Sequence, residues 1–183
     1  MKIFKDRQSA GKLLAKRLIH FSHGRSNIVL GIPRGGVVVA AEVAKELKLP
    51  LDIIITRKIG HPNQPELALG AVDPDGEVVW DEELANGLKV GVLRELRELK
   101  RREKIYRIGR SPLDVSNKIV ILTDDGIATG ATTLAAVKYL KRHGAKKIIL
   151  AVPVASKEAV ERVIGELGEF GLPAGKAGEV IVL

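Results

Sequence analysis

The chain has 183 residues, of which 45% are hydrophobic, enough for a single domain (1–183) with a proper core built mainly from Val, Ile, Leu and Ala. It has no cysteine, which excludes disulfides, thiolate metal sites and a cysteine nucleophile; neither a leader peptide nor a membrane span is expected, so a cytoplasmic location is. The formal net charge of +8 admits nucleic acid or a small polyanion as partner, and the absence of zinc-finger spacing or aromatic-basic interleaving makes nucleic acid the weaker choice.

In chain order, residues 1–4 read as irregular or as an edge strand. A helix is predicted from Asp6, its N-cap, with Ala10, Leu13, Leu14, Leu18 and Phe21 on one face and Gly24 as its stop. Residues 28–32 form the first buried strand, which runs into Pro33-Arg34-Gly35-Gly36 and a helix over 37–47. Arg34 is the only charge in that turn, and a guanidinium beside open backbone N–H groups suits a diphosphate. A second strand over 51–56 ends in Arg57 and Lys58, which either pair with Asp52 or Glu46 or serve the same polyanion.

Residues 60–81 begin with the turn formers GHPNQPE and continue as two strands, 67–72 and 77–80, joined by Asp73-Pro74-Asp75-Gly76. Glu66 and His61 are the polar residues best placed to act there, and His61 is read as solvated rather than catalytic. Residues 81–109 form one long helix or two broken near Gly87 or Gly91, with Leu84, Leu88, Leu93, Leu96, Leu99 and Tyr106 on the apolar side. The basic run 94–110, mixed with Glu95, Glu98 and Glu103, has the pattern of a solvated helix face.

The most informative stretch is 118–133, KIVILTDDGIATGATT. An apolar strand ends in Asp124 and Asp125, turns through Gly126, Ala128, Thr129, Gly130, Ala131 and Thr132, and enters a helix that Gly144 closes. Free N–H groups at that helix start can cradle a phosphate, the threonines add hydroxyl donors, and the two carboxylates suit sugar hydroxyls or hydrated magnesium. No lysine follows the glycine, which excludes a Walker loop. A buried strand follows over 147–152, then a helix over 157–167 capped by Ser156, a loose surface segment over 171–178 and a last strand over 179–183. This alternation of strands and helices predicts an α/β fold, a parallel sheet flanked by helices on both faces.

Residues 119–132 resemble the phosphoribosyl diphosphate (PRPP) signature of the type I phosphoribosyltransferases. The run RKIGHPNQPELALGAV resembles, more narrowly, a subfamily of predicted phosphoribosyltransferases with unassigned acceptor. The resemblance implies the type I fold with a protruding β-hairpin flexible loop over 60–81 that closes on bound PRPP. It implies Mg2+, transfer of the 5-phosphoribosyl group to a nitrogenous base with release of pyrophosphate, and a homodimer. Asp124 and Asp125 would hold the ribose hydroxyls and help place magnesium, through water or those hydroxyls. Residues Gly126, Ala128, Thr129, Gly130, Ala131 and Thr132 would surround the 5-phosphate. Arg34, Gly35 and Gly36, with Arg57 and Lys58, would stabilise departing pyrophosphate, and Glu66 would contact substrate. Where 6-oxopurine transferases carry a base-contacting aspartate this sequence has Ala128, which disfavours a hypoxanthine-guanine acceptor. The likeness fades after residue 163, so a reduced hood over the acceptor is expected. The alternative is a non-catalytic PRPP-sensing regulator that binds nucleic acid.

Overall fold

A computed structural model describes residues 4–85, 91–168 and 178–183, apart from the side chains of Glu66 and Glu82. The expectations for residues 1–3, for a break at Gly87 with Leu88 on the apolar side, and for a loose segment over 171–177 lie outside the described residues.

Helix α1 (Arg7–Arg17) starts at a capping box: the Ser9 N–H donates to Asp6 Oδ1 at 2.7 Å, and the Asp6 N–H donates to Ser9 Oγ at 3.1 Å. The helix stops well before Gly24. Its end tightens into a 3-10 turn (Ile19–Phe21), and the Asn27 amide donates to the Phe21 carbonyl at 2.8 Å, drawing the chain into the first strand. Strands β1 (Asn27–Gly31), β2 (Leu51–Ile53), β6 (Ile119–Thr123), β7 (Lys147–Val152) and β8 (Glu179–Val182) form a parallel sheet in the order β2-β1-β6-β7-β8. Helices α2 (Gly35–Leu47), α5 (Ala131–Arg142) and α6 (Lys157–Gly168) are its crossovers.

Strand alternation sends neighbouring residues to opposite faces. Val29, Ile121 and Ile149 form one cross-strand row and pack against Leu14, Leu18, Val39, Val43 and Leu47 of the α1–α2 layer. Leu30, Leu122 and Leu150 form the next row and pack against Val137, Leu140 and Val163 of the α5–α6 layer. All six row residues are fully buried, and each contributes roughly 1.5–3 kcal/mol of hydrophobic stabilisation. The same register aligns Gly31, Thr123 and Ala151, so β1, β6 and β7 finish level along one edge.

The expected second strand is shorter than 51–56. Its partner β1 ends at Gly31, and after the Ile54 N–H bonds the Gly31 carbonyl no ladder remains; Ile54 and Ile55 turn into the core. Arg57 and Lys58 therefore do not end that strand. They open β3 (Arg57–His61), which joins β4 (Gln64–Val72) and β5 (Val78–Trp80) in a small antiparallel sheet, order β3-β4-β5. The expected hairpin over 60–81 is thus present with an extra strand. Its β3–β4 end, Pro62 to Pro65, is exposed; along β4, Ala68 and Ala71 pack on Ala131 and Ala135 of α5. The β4–β5 turn is pinned as well. Asp73 is 0% exposed, accepts the N–H groups of Asp75 and Glu77 at 3.0 Å each, and pairs with Arg142 of α5.

Residues 82–106 divide as one of the sequence alternatives had it, into α3 (Glu82–Ala85) and α4 (Val92–Tyr106), the latter entered through Gly91 at φ 80°. Val92, Leu96, Leu99 and Tyr106 share a helix face and pack on Ile55, Ile59 and Val72. Leu93, expected on that face, is 71% exposed because it lies one residue, about 100° of helical rotation, off its phase. Leu84 is also exposed.

Asp73→Ala strips two N–H groups and a guanidinium of their acceptor in the interior. It is expected to lower unfolding free energy by about 2–4 kcal/mol, read as a lower urea midpoint at unchanged slope.

Candidate active site

In open parallel sheets ligands gather beyond the carboxyl ends of the strands. Here the loops after β1, β6 and β7 meet at that edge, and two of them are in direct contact. A Cβ on Gly36 would lie 2.8 Å from Asp124 Cα and 2.9 Å from the Thr123 carbonyl oxygen. A Cβ on Gly35 would lie 2.0 Å from Asp125 Oδ2. The Thr123 hydroxyl donates to the Gly36 carbonyl at 3.1 Å, which closes the seam from below. Arg34 stands at the start of α2, after a cis Pro33–Arg34 peptide; it is exposed and borders a cavity of about 320 Å³ with Val37, Ile53, Tyr106 and Arg110.

The two adjacent aspartates are not equivalent. Burial, and then the neighbouring Asp125 carboxylate, push the Asp124 carboxyl up to about 8, against the opposing pull of the Asp125 N–H that donates to Asp124 Oδ1 at 2.8 Å. Asp124 is therefore protonated at neutral pH in the ligand-free protein, where the sequence suggested a pair of acceptors. Asp125 is half-buried and takes both Nε and Nη2 of Arg7 on Oδ2, each at 2.7 Å. Arg7 was missed in the sequence. It lies 118 residues away, and the packing of α1 beside α2 brings it in.

Beyond the aspartates, Gly126 and Ala128 are exposed and Thr129 and Thr132 half-buried. Gly130, at φ 79°, enters α5 with no side-chain cap. The N–H groups of the first helical turn, Ala131 to Thr133, therefore point outward with no intrahelical partner, at the positive end of the helix dipole. Carbonyls of the same turn are taken from the other side: Ser156 Oγ donates to the Ala128 carbonyl at 2.7 Å and Arg162 Nη1 to that of Thr129 at 3.2 Å.

Arg57 has a partner that spacing did not suggest. Its Nε and Nη2 hold Glu95 Oε2 of α4 at 2.9 and 2.6 Å, while Asp52 pairs with Arg107. This explains the near-burial of Glu95 within a face expected to be solvated. Arg57, Lys58 and His61 line a cleft of about 590 Å³ between β3 and α4, together with Gly91 and Arg94. That cleft and the Arg34 cavity share no lining residue. Glu66 sits on β4, and its side chain lies outside the described residues.

Among the described residues no group of three or more His, Cys, Asp or Glu side chains could hold a metal. Magnesium suits the site in another way: it keeps several waters and takes one or two carboxylates plus substrate phosphates, and Asp125, with Asp124 once it has given up its proton, would supply them. Among the described residues no helix is long and apolar enough to cross a membrane.

Residues 6–165 match the family model of the phosphoribosyl transferase domain. A Mycobacterium tuberculosis (strain H37Rv) protein, named as a presumed phosphoribosyl transferase, is 44% identical over 176 residues; these cover 92% of this chain and 40% of that protein, so the chain spans about two fifths of that relative's length. A crystal structure of a protein from Thermus thermophilus aligns over 100% of this chain and 84% of its own, with a TM-score of 0.75 and 38% identity. A purine phosphoribosyltransferase from Pyrococcus horikoshii shares the fold, with a TM-score of 0.52 at 16% identity over 99% of this chain and 89% of its own.

The Asp124 carboxyl sets a pH dependence. Its folded value, about 8, lies above the unfolded 3.8, so between these the folded protein holds a proton that the unfolded chain has lost. Stability from this group is complete below about pH 4, falls as pH rises to about 8, and is level above. Asp124→Asn is expected to flatten that slope and to be the more stable protein at pH 8; urea unfolding at pH 5, 7 and 9 measures it.

Proposed function

We propose that this chain, which belongs to the phosphoribosyl transferase domain family, binds PRPP with magnesium and transfers its 5-phosphoribosyl group to a nitrogenous base, releasing pyrophosphate. One observation carries the reading: the glycine turn after β1 is packed directly on the aspartate loop after β6. In PRPP the diphosphate and the ribose hydroxyls are neighbours on one ring. A site for it needs a diphosphate turn and a hydroxyl-binding acid loop in contact, with a phosphate cradle one ribose away. The turn of Arg34, Gly35 and Gly36, the pair Asp124–Asp125 and the α5 entrance supply those three parts in that order.

In this reading the 5-phosphate accepts N–H groups of the turn from Ala128 to Thr132 and the hydroxyls of Thr129 and Thr132. Asp125, held on one side by Arg7, accepts from a ribose hydroxyl, and Asp124 binds its neighbour. Bound magnesium supplies positive charge to the diphosphate. As the glycosidic bond lengthens, negative charge grows on the leaving group, and fixed donors there do more than mobile water would. Arg34 and the N–H groups of Gly35 and Gly36 provide them, with Arg57 and Lys58 across the β3 cleft. The exposed β3–β4 turn is the lid that keeps water from competing with the acceptor. Ala128 carries a methyl where 6-oxopurine enzymes carry a carboxylate, so in this reading the base is held without that contact.

Calorimetric titration of PRPP with magnesium tests this. Saturable binding is expected, weakened about tenfold or more in Asp125→Asn, which loses a charged acceptor. Pyrophosphate release that depends on an added base, surveyed across purines and pyrimidines, then identifies the acceptor. A folded protein that does not bind PRPP removes the proposal, and binding without release under any base supports a regulator instead.

A further inference from the structure

We infer that Arg162 of α6 is a positioning residue for the phosphate turn, acting through the orientation of its peptide groups; this rests on the phosphate-cradle reading above. In a trans peptide the C=O of one residue and the N–H of the next point in opposite directions. Fixing a carbonyl therefore aims the following N–H. Three consecutive carbonyls of the turn are fixed from one side, two by Ser156 of the β7–α6 connection and one by Arg162 of α6. The Ser156 N–H donates to the Ile127 carbonyl at 2.9 Å, Ser156 Oγ donates to that of Ala128 at 2.7 Å, and Arg162 Nη1 donates to that of Thr129 at 3.2 Å.

The N–H groups of Ala128, Thr129 and Gly130 are thereby turned the other way, and none of them donates to a protein acceptor among the described residues. Successive N–H groups on one side of a turn form an anion-binding hollow. The next three, at the α5 entrance, continue it.

Arg162 differs from Ser156 in what lies behind it. Its guanidinium also pairs with Asp81 Oδ2 at 2.7 Å. Asp81 is held in turn: its Oδ1 accepts the Leu84 N–H at 3.2 Å, and its own N–H donates to the Leu69 carbonyl of β4 at 2.8 Å. The last carbonyl of the hollow is thus tied, through the side chains of Arg162 and Asp81, to the small sheet that carries Arg57 and Lys58. A planar fork of donors can meet a carbonyl and a carboxylate together, which a lysine ammonium does less well. Because Asp81 balances its charge, Arg162 contributes direction to the turn rather than net positive potential.

The test titrates ribose 5-phosphate and inorganic pyrophosphate separately into the parent chain, Arg162→Met and Arg162→Lys, with thermal unfolding of each variant recorded. The Arg162 side chain is 38% exposed, so Met keeps its stem without opening the core. Ribose 5-phosphate is expected to bind about tenfold more weakly to Arg162→Met and to recover in part in Arg162→Lys, while pyrophosphate affinity stays at the parent value. Asp81→Asn, which keeps the bond to Leu84, gives a smaller loss confined to ribose 5-phosphate. Equal ribose 5-phosphate affinity in parent and Arg162→Met overturns the inference and leaves the transferase reading intact. Equal loss of both ligands, or a variant that does not fold alongside a fully active Asp81→Asn, overturns it as well. A parent chain that binds PRPP but not ribose 5-phosphate also overturns it, and one that binds neither removes the underlying reading too.

Discussion

Backbone runs against backbone where the loop after β1 meets the loop after β6. Gly35 and Gly36 leave no room for a side-chain carbon, and the space they vacate is filled by Asp124 and Asp125. The spacing of everything at that end of the sheet follows from this contact. The level strand ends at Gly31, Thr123 and Ala151 bring the loops to one height, the glycines bring them together, and the α5 entrance falls where the second loop returns. A wider residue at either glycine would separate the two halves of the site before it changed any chemistry.

Charge is distributed with similar economy. The chain carries a formal net charge of +8, yet the cations nearest the site are mostly engaged: Arg7 with Asp125, Arg57 with Glu95, Arg162 with Asp81. The site is therefore a set of oriented pairs rather than an open basic patch. Its strongest perturbation is of the opposite sign, a half-buried aspartate that holds its proton at neutral pH. A polyanion that arrives with its own divalent cation meets such a site on balanced terms, whereas a bare polyanion has to displace carboxylates from their guanidinium partners.

Local chemistry was what the sequence made legible. The Asp6 cap, the Ser156 cap and the strand-to-helix passage within residues 118–133 depend on neighbours within a few positions, and each was found where composition and spacing put it, while the sequence offered Gly91 as one of two breaks before α4. The parallel sheet followed from alternation. What escaped was long-range. Arg7 meets Asp125 across 118 residues, Glu95 meets Arg57 across 38, and Arg162 meets the Thr129 carbonyl across 33. No periodicity encodes such meetings. The end of β2 was misjudged for a related reason, since an apolar run continues through Ile54 and Ile55 but the ladder stops where the partner strand does. Leu93 was lost to helical phase, which a set of leucines spaced by three and five residues leaves ambiguous.

The seam between β4 and α5 is made of methyl groups: Ala68 and Ala71 against Ala131 and Ala135. Alanine has no rotamers, so these four residues touch without flexing, and Val79 of β5 packs against them from the side. Sliding one over the other would press methyl into methyl rather than trade one packing for another. Sheet and helix therefore travel as one rigid body, and the interval between the helix entrance and the cations of β3 behaves like a ruler cut to a single length. A molecule reaching from one to the other would have to match that length as built.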